Sequence, residues 1–417
     1  MRHYRVLIVG GGTAGIATAA RLTRAKIDKV AIIEPSSTHF YQPLWTLVGG
    51  GVVQRETTAR PESSVIPPGV DWIRDEAREI DPQSRRVVTA ENGSVGYDFL
   101  VVATGVKLNW EAIPGLREAV ATPYASTNYD YDLAPKTWRL IRNFTGGTAL
   151  FHMPGTPIKC PGAPQKIMYL AADHFRRRGI SSHAKVVYGS APPSIYGVKE
   201  YAAVLERVIE RYGIDARFRH ELVEVRPATR EAIFRTRDGD QERRVSIFYD
   251  LLHVAPPQAP PDFVAASPLA GPGGWVEVDK NTLRHLRYPD VFALGDVAGT
   301  PNSKTGAAAW RQALVVAENL AALLRGQEPA AQYGGYVACP IVTAYGKMLL
   351  CEFDYSGRPT PTLPMLNTFR ERRDMWYLKR YGLPWFYWNL AMRGRTLPLS
   401  YGDRTPLLGR AAQEATP

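Results

Sequence analysis

Arg5-Val6-Leu7-Ile8-Val9-Gly10-Gly11-Gly12-Thr13-Ala14-Gly15 decides how this chain folds. The apolar run predicts a buried parallel strand, and the alanine-rich stretch Ala14 to Thr23 predicts a helix. Val30-Ala31-Ile32-Ile33-Glu34 reads as the next strand, which completes a βαβ unit. Gly10, Gly12 and Gly15 carry the dinucleotide spacing. Gly10 permits the tight turn, Gly12 lets a pyrophosphate approach the backbone, and Gly15 lets the helix pack on the strand. The helix start supplies free N–H groups and the positive end of a dipole to the phosphates. Glu34, closing the second strand, can accept hydrogen bonds from a ribose. A glycine-rich turn without a ligand is the competing reading, and the full strand–loop–helix–strand–acid context disfavours it.

Two later segments bear on which dinucleotide binds. Leu100-Val101-Val102-Ala103-Thr104-Gly105 and Phe292-Ala293-Leu294-Gly295-Asp296 resemble the later signatures of the two-dinucleotide-binding flavoproteins. The resemblance implies FAD. It implies a binding set of Gly10, Gly12, Thr13, Ala14, Gly15, Glu34, Gln42, Ala103, Thr104, Gly105, Gly295, Asp296 and Lys304. Asp296 would hydrogen bond the ribityl chain or a phosphate-side oxygen. Against this stands the plain reading of Asp296 as a turn residue after Gly295.

A second unit of the same kind begins near Thr148. Thr148 to Met153 is strand-like, Gln165 to Arg178 helical, Lys185 to Tyr188 a strand, and Lys199 to Tyr212 helical. Its connecting loop, Pro154-Gly155-Thr156-Pro157-Ile158-Lys159-Cys160-Pro161-Gly162-Ala163-Pro164, has no G-x-G-x-x-G. Its prolines remove N–H donors that a pyrophosphate would need. The following strand ends Tyr188-Gly189-Ser190-Ala191, without an acid for an adenine ribose. Both features predict that this half does not bind NADH, and the loop offers a cysteine instead.

Cys160, Cys339 and Cys351 are the only cysteines. They are too few for a disulfide scaffold, and their spacing matches no zinc site. The histidines show no ligand spacing, so no metal is implied. An isolated cysteine is ordinarily a small buried hydrophobe, and Cys351, inside the apolar run Met348-Leu349-Leu350-Cys351, reads as core packing.

Cys160 and Cys339 sit in segments that carry a resemblance. Pro157-Ile158-Lys159-Cys160-x-Gly162-Ala163-Pro164-Gln165-Lys166-Ile167-Met168-Tyr169-Leu170 resembles the first cysteine segment of the sulfide:quinone oxidoreductases related to the mitochondrial enzyme. Cys339-Pro340-Ile341-Val342-Thr343 resembles the second. Tyr41 to Gly49, Ser303-Lys304-Thr305 and Glu352-Phe353-Asp354-Tyr355 also fit. The resemblance implies that Cys160 and Cys339 meet over the flavin as a redox pair. Sulfide attacks their disulfide, electrons pass through FAD to a quinone, and the sulfur leaves as polysulfide or on a small thiol. It places Cys160 on the flavin side. Lys304, before a helix spanning Thr305 to Leu324, would stabilise an anionic reduced flavin; a solvent-facing lysine is the alternative. A third functional cysteine found near residues 120–130 in another branch is missing, since Pro123-Tyr124-Ala125-Ser126 stands there.

The chain has 417 residues, 45% hydrophobic and 22% charged, which suits two or three globular domains. The expected class is α/β, with two tandem Rossmann-like FAD/NAD(P)-binding domains and a C-terminal amphipathic membrane-anchoring region. Residues 1–115 with 275–326 form the FAD domain, 116–274 the second domain, and 327–417 the C-terminal region with Cys339. No signal peptide or transmembrane run is read from the sequence. The net charge of +11 admits nucleic acid, anionic membranes or anionic substrates as partners. No nucleic-acid motif is present. Phe369 to Arg395 instead bunches Trp376, Tyr377, Tyr381, Trp385, Phe386, Tyr387 and Trp388 among cations, with Pro384 expected to divide two short helices. Such a segment suits a membrane interface, predicting a peripheral enzyme on the cytoplasmic face of a membrane. A helical pair packed on its own domain is the other reading. A homo-oligomer is compatible with the sequence. The rival functions are an NADH:quinone oxidoreductase of the same superfamily, a sulfide dehydrogenase feeding a cytochrome, and a non-catalytic FAD-binding membrane scaffold.

Overall fold

The computed structural model describes residues 2–238 and 241–396. Residues 397–417, part of the C-terminal region expected from the sequence, lie outside the described residues. Strand Arg2–Val9 pairs in parallel with Val30–Ile33 on one side and with Ser94–Val102 on the other. Val291–Ala293, from far along the chain, pairs in parallel with Ser94–Val102, and Val70–Ile73, Ala77–Asp81 and Arg86–Thr89 bring the sheet to seven strands. Residues 6–9, Val30–Ile33, residues 100–102 and Val291–Ala293 are apolar and buried, as parallel strands covered on both faces require. Helix Thr13–Arg24 covers one face and packs against the alanine-rich helix Gly306–Leu323. Small side chains allow that close approach. The Thr305 hydroxyl caps the second helix by accepting from the Ala308 N–H at 3.1 Å.

The second parallel sheet runs Ala125–Ser126, Leu251–His253, Gly147–Met153, Ala184–Ser190, Asp215–Phe218. An antiparallel meander, Glu221–Arg226, Glu231–Asp238 and Gln241–Phe248, follows it. The proline-rich return through Ala255 to Pro261 makes a short pairing of Gln258–Ala259 with Lys107–Leu108. Helix Ala163–Arg177 is buried continuously from Ala163 through Asp173, Gln165, Lys166 and Asp173 included, so it runs inside the molecule. Against it lies the hairpin Val337–Ala344/Lys347–Phe353, which carries Cys339 and Cys351.

The expected break at Pro384 is not present. Arg373–Tyr377, Leu378–Gly382 and Leu383–Asn389 form one continuous helical run whose middle section is π-helical. Pro384 falls in the first turn of the last section, where the wider π turn accommodates its missing N–H. The aromatic side chains also divide. Trp376, Tyr387 and Trp388 are buried, while Tyr377, Tyr381 and Trp385 are 61%, 57% and 59% exposed and form one outer stripe. Among the described residues, no helix is long and apolar enough to cross a membrane.

Candidate active site

The dinucleotide loop is built as its glycines require. Gly10 has φ +109°, and a Cβ there would lie 2.5 Å from the Ala103 carbonyl oxygen. A Cβ at Gly15 would lie 1.9 Å from the Gly10 oxygen, so helix and loop touch directly. Nothing approaches within 4 Å of a Cβ at Gly12, which leaves the backbone open where a pyrophosphate would approach. The Glu34 carboxylate accepts from the Gly11 N–H at 2.7 Å and the Ser36 N–H at 2.8 Å. Burial raises its pKa, and those two bonds oppose the rise. Ala103, Thr104 and Gly105 follow the strand that pairs with Arg2–Val9, and the buried Thr104 hydroxyl has no partner. Asp296 lies in the turn after Val291–Ala293; burial raises its pKa, while Lys304 and Lys159 act the other way. This open cradle, its acidic rim and an orphaned hydroxyl fit a dinucleotide such as FAD. Gln42 is exposed at the start of the turn Gln42–Leu44. The Thr13 hydroxyl hydrogen bonds Tyr387 of the aromatic run at 2.8 Å.

Cys160 stands between strand Gly147–Met153 and helix Ala163–Arg177, where a nicotinamide-binding unit would carry its phosphate loop. Its backbone is left-handed, φ +50°, a conformation that costs a non-glycine residue roughly 1–3 kcal/mol. Surrounding bonds hold it there. The Cys160 N–H donates to the Lys304 carbonyl at 2.6 Å, and the Cys160 carbonyl accepts from Ala163 N–H at 2.8 Å and from the Tyr129 hydroxyl at 3.1 Å. The loop is thereby tied to the segment that leads into Gly306–Leu323 and to the start of Ala163–Arg177.

Cys339, distant in sequence, hydrogen bonds Cys160 through its sulfur. Neither is in a disulfide in this structure. Gly162 makes room: a Cβ there would lie 2.6 Å from Cys339 Sγ and 2.4 Å from Ile341 Cδ1. The two sulfurs are electrostatically unequal. Cys160 is held well below the usual thiol range, first by the hydrogen bond from Cys339 and then by Lys166 and Lys379, against the effect of burial. Cys339 is pushed well above it by the same hydrogen bond and by burial. The two shifts run in opposite directions and favour negative charge on Cys160 over Cys339. The N-terminal end of helix Ala163–Arg177 adds to this preference.

The cations responsible are Lys166 and Lys379, and the sequence reading gave neither a role. Lys166, 1% exposed, places its Nζ 3.2 Å from Cys160 Sγ. Burial works to lower its pKa, but the nearby sulfurs raise it above the ordinary value. Lys379, 2% exposed, donates to the Pro43 carbonyl at 2.9 Å. Burial and Lys166 lower its pKa to about 7, with Cys160 opposing. Burying two ammonium groups costs several kcal/mol apiece unless an anion compensates, and the Cys160 thiolate is the anion they share. Lys166 had no mark in the sequence, since Gln165, Asp173, His174, Arg176 and Arg177 make the same helix look partly solvated. Lys379 was masked by the arginines around it.

Lys304 is 7% exposed, not solvent-facing. Its Nζ donates to the Ala298 carbonyl at 3.1 Å and lies 4.0 Å from the Trp275 ring centre. Burial lowers its pKa to about 8, with Asp296 opposing. It lines a cavity of about 600 Å³ together with Ile158, Pro161, Trp275 and Asn302.

The aromatic run reaches both halves of the site. Tyr387 Oη lies 2.6 Å from His39 Nε2, and His39 Nδ1 lies 3.0 Å from the Gly11 carbonyl. Lys379 extends from the same run into the cysteine chamber.

The chain is similar to known proteins over most of its length. The family described as pyridine nucleotide-disulphide oxidoreductase matches residues 4–144. The mitochondrial sulfide:quinone oxidoreductase of Mus musculus is 42% identical over 94% of this chain and 87% of its own length. The Dictyostelium discoideum protein of the same name is 38% identical over 94% of this chain and 86% of its own. The crystal structure of the sulfide:quinone oxidoreductase from Aquifex aeolicus superposes with a TM-score of 0.77 at 19% identity, covering 95% of this chain and 92% of that one.

Proposed function

The chain belongs to the sulfide:quinone oxidoreductases, the mitochondrial branch included, and from that premise we propose how its own residues carry out sulfide oxidation. The protein is an FAD-dependent enzyme that oxidises sulfide with a quinone as electron acceptor. The observation that carries the reading is the meeting, beside Lys166, of Cys160 in the loop that stands where a nicotinamide site would be with Cys339 of the hairpin.

In the oxidised enzyme Cys160 and Cys339 are joined. Hydrosulfide attacks Cys339 Sγ, the disulfide breaks, and Cys160 leaves as a thiolate. Lys166 and Lys379 stabilise that leaving group, which is why the low-pKa sulfur belongs on Cys160. Cys339 now carries a persulfide. A small thiol takes the outer sulfur and becomes a persulfide itself, returning Cys339 to the thiol. Reoxidation of the two thiols to the disulfide releases two electrons and two protons. Gly10, Gly12, Thr13, Ala14, Gly15, Glu34, Gln42, Ala103, Thr104, Gly105, Gly295 and Asp296 would hold FAD, which would supply two-electron transfer between the cysteine pair and the quinone. The charge on Lys304 favours reduction of that cofactor. Sulfide, acceptor thiol and quinone are thus converted to thiol persulfide and quinol, with atoms and electrons balanced. Polysulfide forms by the same step when a second sulfide replaces the thiol.

The same reading takes 1–115 with 275–326 as the FAD unit, 116–274 as the unit that lost its nicotinamide site, and the remainder as a membrane-facing region. Two sheets divided along those lines support it. The outer stripe of Tyr377, Tyr381 and Trp385 lies in the headgroup layer on the cytoplasmic face, while the inner face of that run abuts the dinucleotide loop and the cysteine chamber. Sulfide-dependent quinone reduction tests this. On vesicles of phosphatidylcholine and phosphatidylserine, the wild type should bind and reduce a long-tailed quinone. Changing Tyr377, Tyr381 and Trp385 together to alanine should weaken vesicle binding at least ~10-fold, because losing ~1.4 kcal/mol of ring burial is a factor of ten. Reduction of a short-chain soluble quinone should persist. Unchanged vesicle binding would remove the membrane role, and no sulfide-dependent quinone reduction by the wild type would overturn the functional reading.

A further inference from the structure

Cys351 was expected to be an ordinary core residue, and it is fully buried. Its position is nevertheless specific: it is the direct cross-strand partner of Cys339 in the hairpin Val337–Ala344/Lys347–Phe353. Directly opposed residues on antiparallel strands present their side chains on one face. Their Cα atoms stand ~4.5 or ~5.5 Å apart depending on the ladder position, and both distances fall within the ~4.4–6.8 Å span of disulfides. The shared face points inward, with Val337, Cys339, Ile341, Leu349 and Cys351 all buried. Lys166 interacts electrostatically with Cys160, Cys339 and Cys351, so one ammonium serves three sulfurs. The Tyr196 hydroxyl donates a hydrogen bond to the Cys351 sulfur.

We propose that Cys351 is a third exchangeable thiol of the redox centre, able to take Cys339 from Cys160 and form a cross-strand Cys339–Cys351 disulfide. This rests on reading Cys160 and Cys339 as the redox pair. The exchange is balanced without an external oxidant. The Cys351 sulfur bonds to Cys339 Sγ, the Cys160–Cys339 bond breaks with its electron pair going to Cys160, which leaves as a thiolate, and the proton of Cys351 is released to solvent. Lys166 stabilises the departing Cys160 sulfur, the better leaving group. Burial keeps the Cys351 thiol protonated well above its ordinary range, with Tyr196 and Lys166 opposing, so the exchange is slower than attack by sulfide. The product is a resting form in which Cys339 is protected from over-oxidation. Sulfide attack on Cys339 with Cys351 as leaving group then gives the same Cys339 persulfide as the main cycle, so the enzyme re-enters turnover without reductant.

The test maps thiols in the FAD-loaded protein. Wild type and Cys160→Ala are oxidised with diamide, quenched in acid, alkylated under denaturing conditions and digested without reduction. Cys160→Ala retains only Cys339 and Cys351, and it should lose both free thiols to a single intrachain Cys339–Cys351 link. The wild type should yield Cys160–Cys339 peptides together with a fraction in which Cys160 is alkylated and Cys339 is linked to Cys351. If Cys160→Ala fails to hold FAD, the wild-type map decides alone. A Cys160–Cys339 link in the wild type with no Cys339–Cys351 link in either protein overturns the third-thiol inference and leaves the redox pair standing. No Cys160–Cys339 link in the wild type overturns the pair, and the inference with it.

Discussion

Cys160→Ser is expected to leave the flavin oxidised when sulfide is added without oxygen, with the rate of flavin reduction falling by at least ~10³-fold. The pair acts as a unit, and losing one member of such a unit removes most of the chemistry. Serine has the size of the thiol but cannot form the disulfide that sulfide attacks, and its hydroxyl is not a thiolate at neutral pH. The flavin itself should remain bound, because the groups around the glycine loop do not depend on this side chain. A stopped-flow trace of flavin absorbance after sulfide mixing reads the effect directly. A rate within tenfold of wild type would remove Cys160 from the reaction.

Lys166→Met should have the second largest effect, with a distinctive pH signature. The ammonium 3.2 Å from Cys160 Sγ lowers the thiol pKa, so removing it raises that pKa. Below the new pKa, the thiolate fraction rises tenfold per pH unit. The variant should therefore be slower by ~10²-fold near neutral pH, the cost of one aligned charged donor, and the deficit should shrink as pH rises. Methionine keeps the length of the chain and the apolar contacts, so the change isolates the charge. The alkylation rate of Cys160 by iodoacetamide in the reduced protein should follow the same profile. A deficit that is constant across pH would mean that Lys166 shapes the chamber without setting the charge of the sulfur.

Much of this site was legible in the residues. The glycine spacing from Gly10 to Gly15 has a steric meaning that the structure reproduces atom by atom, and helix Lys199–Tyr212 has the predicted bounds. The loop from Pro154 to Pro164 could be read as a lost nicotinamide site because the removal of N–H donors is visible in the letters. The meeting of Cys160 with Cys339 was implied only by resemblance, since nothing local in either segment sets a contact so distant in sequence. The two buried lysines escaped because lysine is almost never fully buried unless paired, and their partner is a thiolate that no motif announces. Pro384 was misjudged because a proline inside a helical stretch ordinarily breaks it, and the π-helical turn Leu378–Gly382 that accommodates it has no sequence mark. The aromatic cluster was read either as a membrane-interface segment or as a helical pair packed on its own domain, and burial divides it into an inner, packed face and an outer, exposed one. Cys351 was assigned to the core from its apolar neighbours, which was right about burial and silent about its register with Cys339.

The central claim is that electrons enter through the cysteine pair from sulfide and not from a nicotinamide. Anaerobic mixing of the oxidised, FAD-loaded protein with sulfide in one syringe drive and NADH in another tests it most directly, following the visible flavin band. Rapid bleaching by sulfide, reversed by a soluble quinone, with a negligible response to NADH, is the predicted result. Rapid bleaching by NADH with no response to sulfide would contradict it and return the chain to the NADH:quinone oxidoreductase reading.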